Sequence, residues 1–300
     1  MSHDVARHQV RLPISFMKHP MHLAALLSPL AWSVFYWRRY KRWPNLFRPT
    51  TFNERIGAAM LLQRHPQWVR LTDKVEVKKL GAERLGPEWI IPTLWTGKAL
   101  PPRGQRNWPR PYVIKANNGS SRNIFVRSPA DEDWDAIETT CRRWMARPYS
   151  PAKGEWQYLK IPPRLLVEPL LPGPDGQDID NYRLWCFDGA VTYVQLSTQR
   201  DGAWHTAFYH PDWTRAPFAY VWPIDPLSRP PPPSLAAMLD GAAKLAAGLP
   251  FARVDLYDVD GRPRFGEITL PPSAGFGRFS PPQADAELGI LWPQGGSTRR

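Results

Sequence analysis

The stretch FARVDLYDVDGRPRFGEITLPPSAGF, residues 251–276, decides the reading of this chain. It reads as a strand, an Asp-Gly turn and a return strand, with Arg253, Asp255, Glu267 and Thr269 on otherwise apolar ribbons. Strand side chains alternate faces, so Arg253, Asp255 and Tyr257 share one side, and Phe265, Glu267 and Thr269 share a side of the return strand. A two-residue turn at Asp260-Gly261 pairs Val254 with Glu267 and sends the carboxylates to opposite faces. A three-residue loop ending in Gly261 pairs Arg253 with Glu267 and brings Asp255 diagonal to it on the same face. Two carboxylates on adjacent strands suit a magnesium ion carrying a nucleotide phosphate, because magnesium takes one or two protein carboxylates and leaves its other positions to phosphate and water. That reading requires an odd loop. The same residues also describe an edge hairpin whose charges face water.

Working outward, 300 residues allow a large core and two or three subdomains around one cleft. Hydrophobic residues at 43% and charged residues at 22% exclude a disordered chain. The 15 tryptophans and 35 prolines indicate a loop-rich protein with aromatic-lined surfaces. Cys141 and Cys186 form no CxxC, and no histidine lies in an HxH or HExxH pattern. A disulfide framework and a histidine-built metal site are therefore excluded, and a reducing, cytoplasmic setting is expected.

The net charge of +12 is uneven, with eight Lys/Arg in residues 1–50 against Asp4 alone. An apolar run, residues 23–37, precedes the cluster RRYKR; it contains Pro29 and falls short of the roughly 20 residues that a spanning helix needs. Two readings stay open for residues 22–42. One is an interfacial helix with Trp32, Phe35, Tyr36 and Trp37 among lipid headgroups at the inner face of a membrane. The other is a first helix packed on the main domain. No nucleic-acid-binding module is recognisable, so nucleic acid is not an expected partner.

Helices are expected over FNERIGAAMLLQ and DKVEVKKLGAER, and strands at EWIIPTLW, PYVIKA, NIFVR and RLLVEPLL. ADEDWDAIETTCRRWMAR carries acids early and arginines late, as a helix dipole prefers. NYRLWCF and AVTYVQLS flank Asp188-Gly189, a hairpin signal, and Ser234 stands where it would cap a helix. Hairpins mixed with helices give an α+β fold rather than a doubly wound parallel sheet.

Further residues suit a phosphate site. Lys115 ends an apolar strand just before Asn117-Asn118-Gly119-Ser120-Ser121, whose backbone N–H groups can nest an anion. Lys74 opens a helix and supplies a second ammonium; alone, each piece also fits an ordinary hairpin turn or a solvated helix residue. Glu168 in an apolar strand demands a ligand or a salt bridge.

In order, these pieces resemble the ATP-grasp fold and, more narrowly, the TupA-like ATP-grasp family, named for a teichuronopeptide biosynthesis protein. The resemblance rests on PTTFNERI, LTDKVEVKKL, EWIIPTLW, YVIKANNGSSRNIFV, GEWQYLKIPPRLLVEPLL, NYRLWCFDGAVTYVQ, AFYHPDWT and FARVDLYDVDGRPRFGEIT. It implies two α+β subdomains clasping a nucleotide: an N-terminal extension (1–48), an N-terminal lobe (49–107), a lid (108–170), a catalytic subdomain (171–290) and a tail (291–300). It implies ATP and Mg2+ as cofactors. Lys74 and Lys115 would contact phosphates, with Asn117, Gly119 and Ser120 closing over them. The segment from Glu168 to Leu171 would form the adenine hinge. Asp255 and Glu267 would hold magnesium beside Thr269, and Arg253 would stabilise the transferring phosphoryl group.

The chain departs from the family loop NHGSGSN at Asn118, Ser121 and Arg122, and has Asn181 where the family has aspartate before a tyrosine. The implied activity is carboxylate–amine ligation through an acylphosphate in cell-surface polysaccharide biosynthesis. The acid would be a carboxylate-bearing glycan or amino acid. Arg183, Arg200 and His205 are candidate contacts for an acidic substrate, or else surface charge. A phosphotransferase, a glycosyltransferase and a membrane-associated scaffold are the competing functions.

Overall fold

The computed structural model describes residues 29–146, 154–173 and 178–293. The expectations for residues 1–28 and for the end of the tail lie outside them. Helix α1 (Pro29–Tyr40) buries Trp32 and Tyr36, and the Trp32 indole donates to Ala274 O at 3.0 Å. Burying two large aromatic side chains makes α1 part of the core. Their place among headgroups is thereby corrected: both face protein. Among the described residues no helix is long and apolar enough to cross a membrane.

Helix α2 (Phe52–Ala58) starts in a capping box, in which Thr51 accepts from the Glu54 N–H while the Glu54 carboxylate accepts from the Thr51 N–H. Such a cap contributes about 1 kcal/mol. It continues as a π-helical turn, Ala59–Gln63, and is followed by α3 (Gln67–Thr72) and α4 (Glu76–Leu85).

Strands β1 (Trp95–Gly97), β2 (Tyr112–Ala116), β3 (Asn123–Val126) and β4 (Leu165–Pro169) form an antiparallel sheet in the order β1-β4-β2-β3. Tyr112, Ile114, Ala116, Leu165 and Val167 face a small core with Ile137 and Cys141 of helix α5 (Trp134–Ala146). By alternation the opposite face carries Val113, Lys115, Leu166 and Glu168.

The second antiparallel sheet uses β5 (Asn181–Phe187), β6 (Ala190–Arg200), β7 (Ala203–Tyr209), β8 (Arg215–Ala216), β10 (Phe251–Val259) and β11 (Arg262–Thr269) in the order β11-β10-β5-β6-β7-β8. β9 (Ala219–Tyr220) pairs separately with β12 (Phe279–Ser280). Helix α6 (Leu235–Ala246) packs on β10, β5 and β6, and Ala242 O meets the Cys186 thiol opposite Ala252. On the other face, Trp185 and Phe251 pack with Phe52, Phe279 and Trp292, the last just beyond α7 (Ala284–Ile290). That aromatic block fills one end of the face, and Arg253, Asp255 and Arg183 follow it toward the other end.

Three local expectations are corrected. EWIIPTLW is a 3-10 turn and extended chain that becomes strand only at its last residue, Trp95 of β1; Ile90 makes an isolated bridge to Phe265, because Trp89 and Ile90 pack against α6 and β11 rather than pairing as a strand. Lys74 sits in the turn before α4, since Asp73 already ends α3 and its carboxylate accepts from the Val75 N–H at 2.9 Å. Ser234 precedes α6 without capping it; its N–H and hydroxyl go to the Asp258 carboxylate at 3.0 and 2.5 Å.

Candidate active site

The loop of the C-terminal hairpin is even, not odd. Val259 pairs with Arg262 around the two-residue turn Asp260-Gly261, whose φ values of 52° and 74° suit a type I′ turn. The carboxylates nevertheless share a face, because the register slips between Asp255 and Leu256 and sets Asp255 directly opposite Glu267, and Arg253 opposite Thr269. The extra residue is Gly266, and a Cβ there would stand 2.9 Å from Asp255 O and 2.9 Å from the Tyr257 ring. A bulge with no room for a side chain supplies the parity change assigned to the loop. The sequence signal was present in the glycine between Phe265 and Glu267.

On this face the Arg253 guanidinium grips the buried Asp255 carboxylate with both prongs, at 2.7 and 2.8 Å, and donates to Thr269 Oγ1 at 3.0 Å. It lies 3.8 Å from Glu267 Oε1, which the Thr269 hydroxyl also approaches at 3.5 Å. Arg183 lies 3.8 Å from Asp255 and donates to Ser197 Oγ at 2.7 Å. Burial raises the Asp255 pKa, and neighbouring Glu267 adds to it against the pull of Arg253. Glu267, 42% exposed at its side chain, is held below its ordinary value: burial opposes, but Lys74, Arg253, Lys115 and Arg183 outweigh it. Burial pushes the Tyr257 phenol up to about 12.

Facing the hairpin, Lys74 donates to Gly119 O at 2.8 Å and lies 4.0 Å from Glu267 Oε2. Lys115 donates to Glu168 Oε2 at 2.7 Å, and Lys78 meets the other oxygen of Glu168. Glu168 is thus a buried bridge between two lysines, and its pKa is lowered because Lys115 and Lys78 overcome its desolvation. The two lysines respond differently. Burial dominates at Lys78 and lowers it, while Glu168, Tyr257 and Glu267 overcome burial at Lys115 and raise it. Geometry decides for Lys78: Ile91 O, Thr93 Oγ1 and Glu168 surround its Nζ, and three acceptors suit an ammonium with three protons. Sequence reading missed Lys78, although it follows Lys74 by one helical turn on a buried stripe with Val77 and Gly81.

The Asn117 side chain serves the scaffold. It donates to Asp73 and Pro162 O at 2.9 and 3.1 Å and accepts from the Arg164 N–H at 2.8 Å, which ties the loop to α3 and the start of β4. The Asn117 N–H donates to Arg164 O at 3.0 Å as well, so the expected phosphate contact is corrected: its side chain and its N–H both hold the loop in place. Ser121 adopts a left-handed φ of 57°, and Arg122 donates to Asn118 Oδ1 and Trp144 O. Ser120 and Gly119 lie at the loop apex. Leu171 follows β4 half-buried, and the chain there is fixed by Leu170 N–H donating to Pro111 O at 2.9 Å.

Of the three substrate candidates, only Arg183 joins the cluster. Arg183 stands opposite Gln195, and Ser197 opposite Thr206, on the site face. His205 pairs with Thr198 one residue out of phase, on the reverse face, where Arg200 binds Asp225 at 3.1 Å. Among the described residues no three His, Cys, Asp or Glu side chains are placed to hold a metal. Two facing carboxylates, one of them open to solvent, fit the smaller protein share that magnesium takes.

A family model of TupA-like ATP-grasp proteins matches residues 54–292. The curated proteins gave no match. Among solved structures, the ATP-grasp ligase PsnB complexed with minimal precursor is 13% identical, with a TM-score of 0.42 over 72% of this chain and 60% of that one. D-alanine–D-alanine ligase from Bacillus anthracis is 16% identical, with a TM-score of 0.41 over 74% and 63%. The enzyme from Helicobacter pylori is 15% identical, with a TM-score of 0.38 over 75% and 61%. The chain thus spans about 60% of the length of the PsnB structure. With its hairpin, lysines and glycine loop in family order and the family model covering most of its length, the chain belongs to the TupA-like ATP-grasp family.

Proposed function

We propose that this chain is an ATP-dependent ligase that joins a carboxylate to an amine through an acylphosphate. The observation that carries this is Lys74, whose ammonium touches the glycine loop at Gly119 and faces Glu267 on the hairpin. One lysine binding both sides marks a single volume where phosphate charge meets two ammonium groups and two acids.

In that volume Lys74 and Lys115 neutralise the triphosphate, and the backbone around Gly119 and Ser120 covers it. The segment from Glu168 to Leu171 lies along the base. Asp255 and Glu267 would hold magnesium, which supplies positive charge to the phosphates. Arg253 and Arg183 orient the attacking carboxylate and offset the charge growing on the transferring phosphoryl group. The carboxylate oxygen takes the γ-phosphoryl and ADP leaves; an amine nitrogen then displaces phosphate from the acyl carbon and loses its proton. Such transfer needs positioning and charge neutralisation more than covalent help.

A glycan-borne uronic acid is the substrate that the family's naming protein suggests. Trp204 and Trp222, stacked at 6.4 Å and 29°, give a platform for a sugar ring, and Trp204 lies beyond Thr206 on the face that carries Arg183. The test is ADP and phosphate release from Mg·ATP with acids and amines supplied singly and together. Release that needs both supports the ligase. Phosphate retained on the acceptor makes the chain a phosphotransferase, and turnover of a sugar nucleotide without ATP makes it a glycosyltransferase.

A further inference from the structure

We infer that the surface formed by α1 and residues 41–48 docks on an anionic lipid bilayer. Side chains that a domain ordinarily buries stand in water here: Leu30 is 70% exposed, Trp43 60% and Phe47 89%. Trp37 is exposed two helical turns beyond Leu30, on the same outward stripe of α1. Its ring stacks on Trp43 at 6.1 Å, and Lys41 Nζ lies 5.5 Å from its centroid. Leu30, Phe47 and Leu62 border one groove of about 330 Å³. Phe47 and Ile290, the latter 74% exposed, border a second cavity of about 460 Å³ whose walls include Arg48 and Arg55. Leu30, Leu62 and Ile290 are therefore joined through Phe47, and the stacked Trp37–Trp43 pair stands on the same α1 and 41–48 segment. None of them belongs to the acidic hairpin cluster.

Charge identifies the occupant. Every charged residue from position 29 to 53 is basic, namely Arg38, Arg39, Lys41, Arg42 and Arg48. The first acid, Glu54, is buried and paired with Arg42 at 2.6 Å. Arg48 and Arg55 both line the second cavity, and a headgroup phosphate oxygen is an acceptor that a guanidinium fits. Tryptophan and phenylalanine flanked by arginine and lysine are the side chains that settle at a bilayer surface. A second copy of this chain would oppose one basic patch to another. A nucleic acid would satisfy the arginines but leave Leu30, Leu62 and Ile290 in water.

The inference stands apart from the ligase reading and is tested without activity. The full chain is floated with vesicles of phosphatidylcholine alone, or of equal parts phosphatidylcholine and phosphatidylglycerol. It is expected to rise with the anionic vesicles only, and less so at high salt. Lys41→Gln and Arg48→Gln should each weaken binding about fivefold, the factor that about 1 kcal/mol per basic residue implies. Trp43→Ser with Phe47→Ser should abolish flotation at an unchanged melting temperature. Equal binding to neutral vesicles, full binding by the double variant, or a double variant that loses self-association instead of lipid binding would overturn the inference.

Discussion

Ser121 stands where the resembled loop carries glycine, and its φ of 57° is a conformation that side chains resist. Ser121→Gly should stabilise the fold by about 0.5–1 kcal/mol, because relief of left-handed strain exceeds the entropy glycine adds to the unfolded chain; urea denaturation measures it. Glu168 gives the opposite sign. Glu168→Gln leaves Lys78 and Lys115 without their carboxylate and should cost about 3–5 kcal/mol. Its folded pKa is depressed below 4.5, so the stability it contributes is complete above that value and is lost as pH falls through the folded pKa. Wild type should weaken along that acid limb, and the glutamine variant should lack the step in a pH series of melts. The sequence announced that Glu168 needed a partner, but not which lysine. Lys115 lies across the strand pair, whereas Lys78 arrives from a helix 90 residues earlier, a distance that only tertiary packing closes.

Among the elements, the C-terminal hairpin was legible in kind and misread in parity. Alternation placed Arg253 with Asp255 and Glu267 with Thr269, while the bulge at Gly266 stayed hidden because one isolated glycine also fits a plain strand. Gly266→Ala sets a Cβ 2.9 Å from Asp255 O and should cost about 1–3 kcal/mol, the price of overpacking. Because the clash displaces Asp255 itself, nucleotide-dependent turnover should fall further than stability does; turnover at full folding is the readout. EWIIPTLW, strand only from Trp95 on, was overextended for a different reason: apolar residues bounded by turns look the same whether they pair with a strand or pack against a sheet edge. The β5–β6 hairpin was plain because Asp188-Gly189 specifies its own turn.

For the whole molecule, the α+β class and the order of site pieces were readable, but the relation between sheet faces was not. Arg183, Arg200 and His205 all looked available in the sequence. One residue of phase on β6 and β7 separates Arg183 from the other two. Helix α1 likewise carried an amphipathic pattern that fitted either packing or lipid, and the structure divides it: Trp32 and Tyr36 inward, Leu30 and Trp37 outward. Trp32→Ala should therefore destabilise the whole fold by about 3–5 kcal/mol, seen as a lower denaturant midpoint, rather than release an appendage. The most direct measurement is the thermal shift given by Mg2+ with a non-hydrolysable ATP analogue. At a hundredfold excess over Kd the wild type should gain about 2.7 kcal/mol, while folded Asp255→Asn and Glu267→Gln proteins should gain little. An equal shift in all three proteins, or a shift given only by sugar nucleotides, would contradict a nucleotide held between the paired acids and the two lysines.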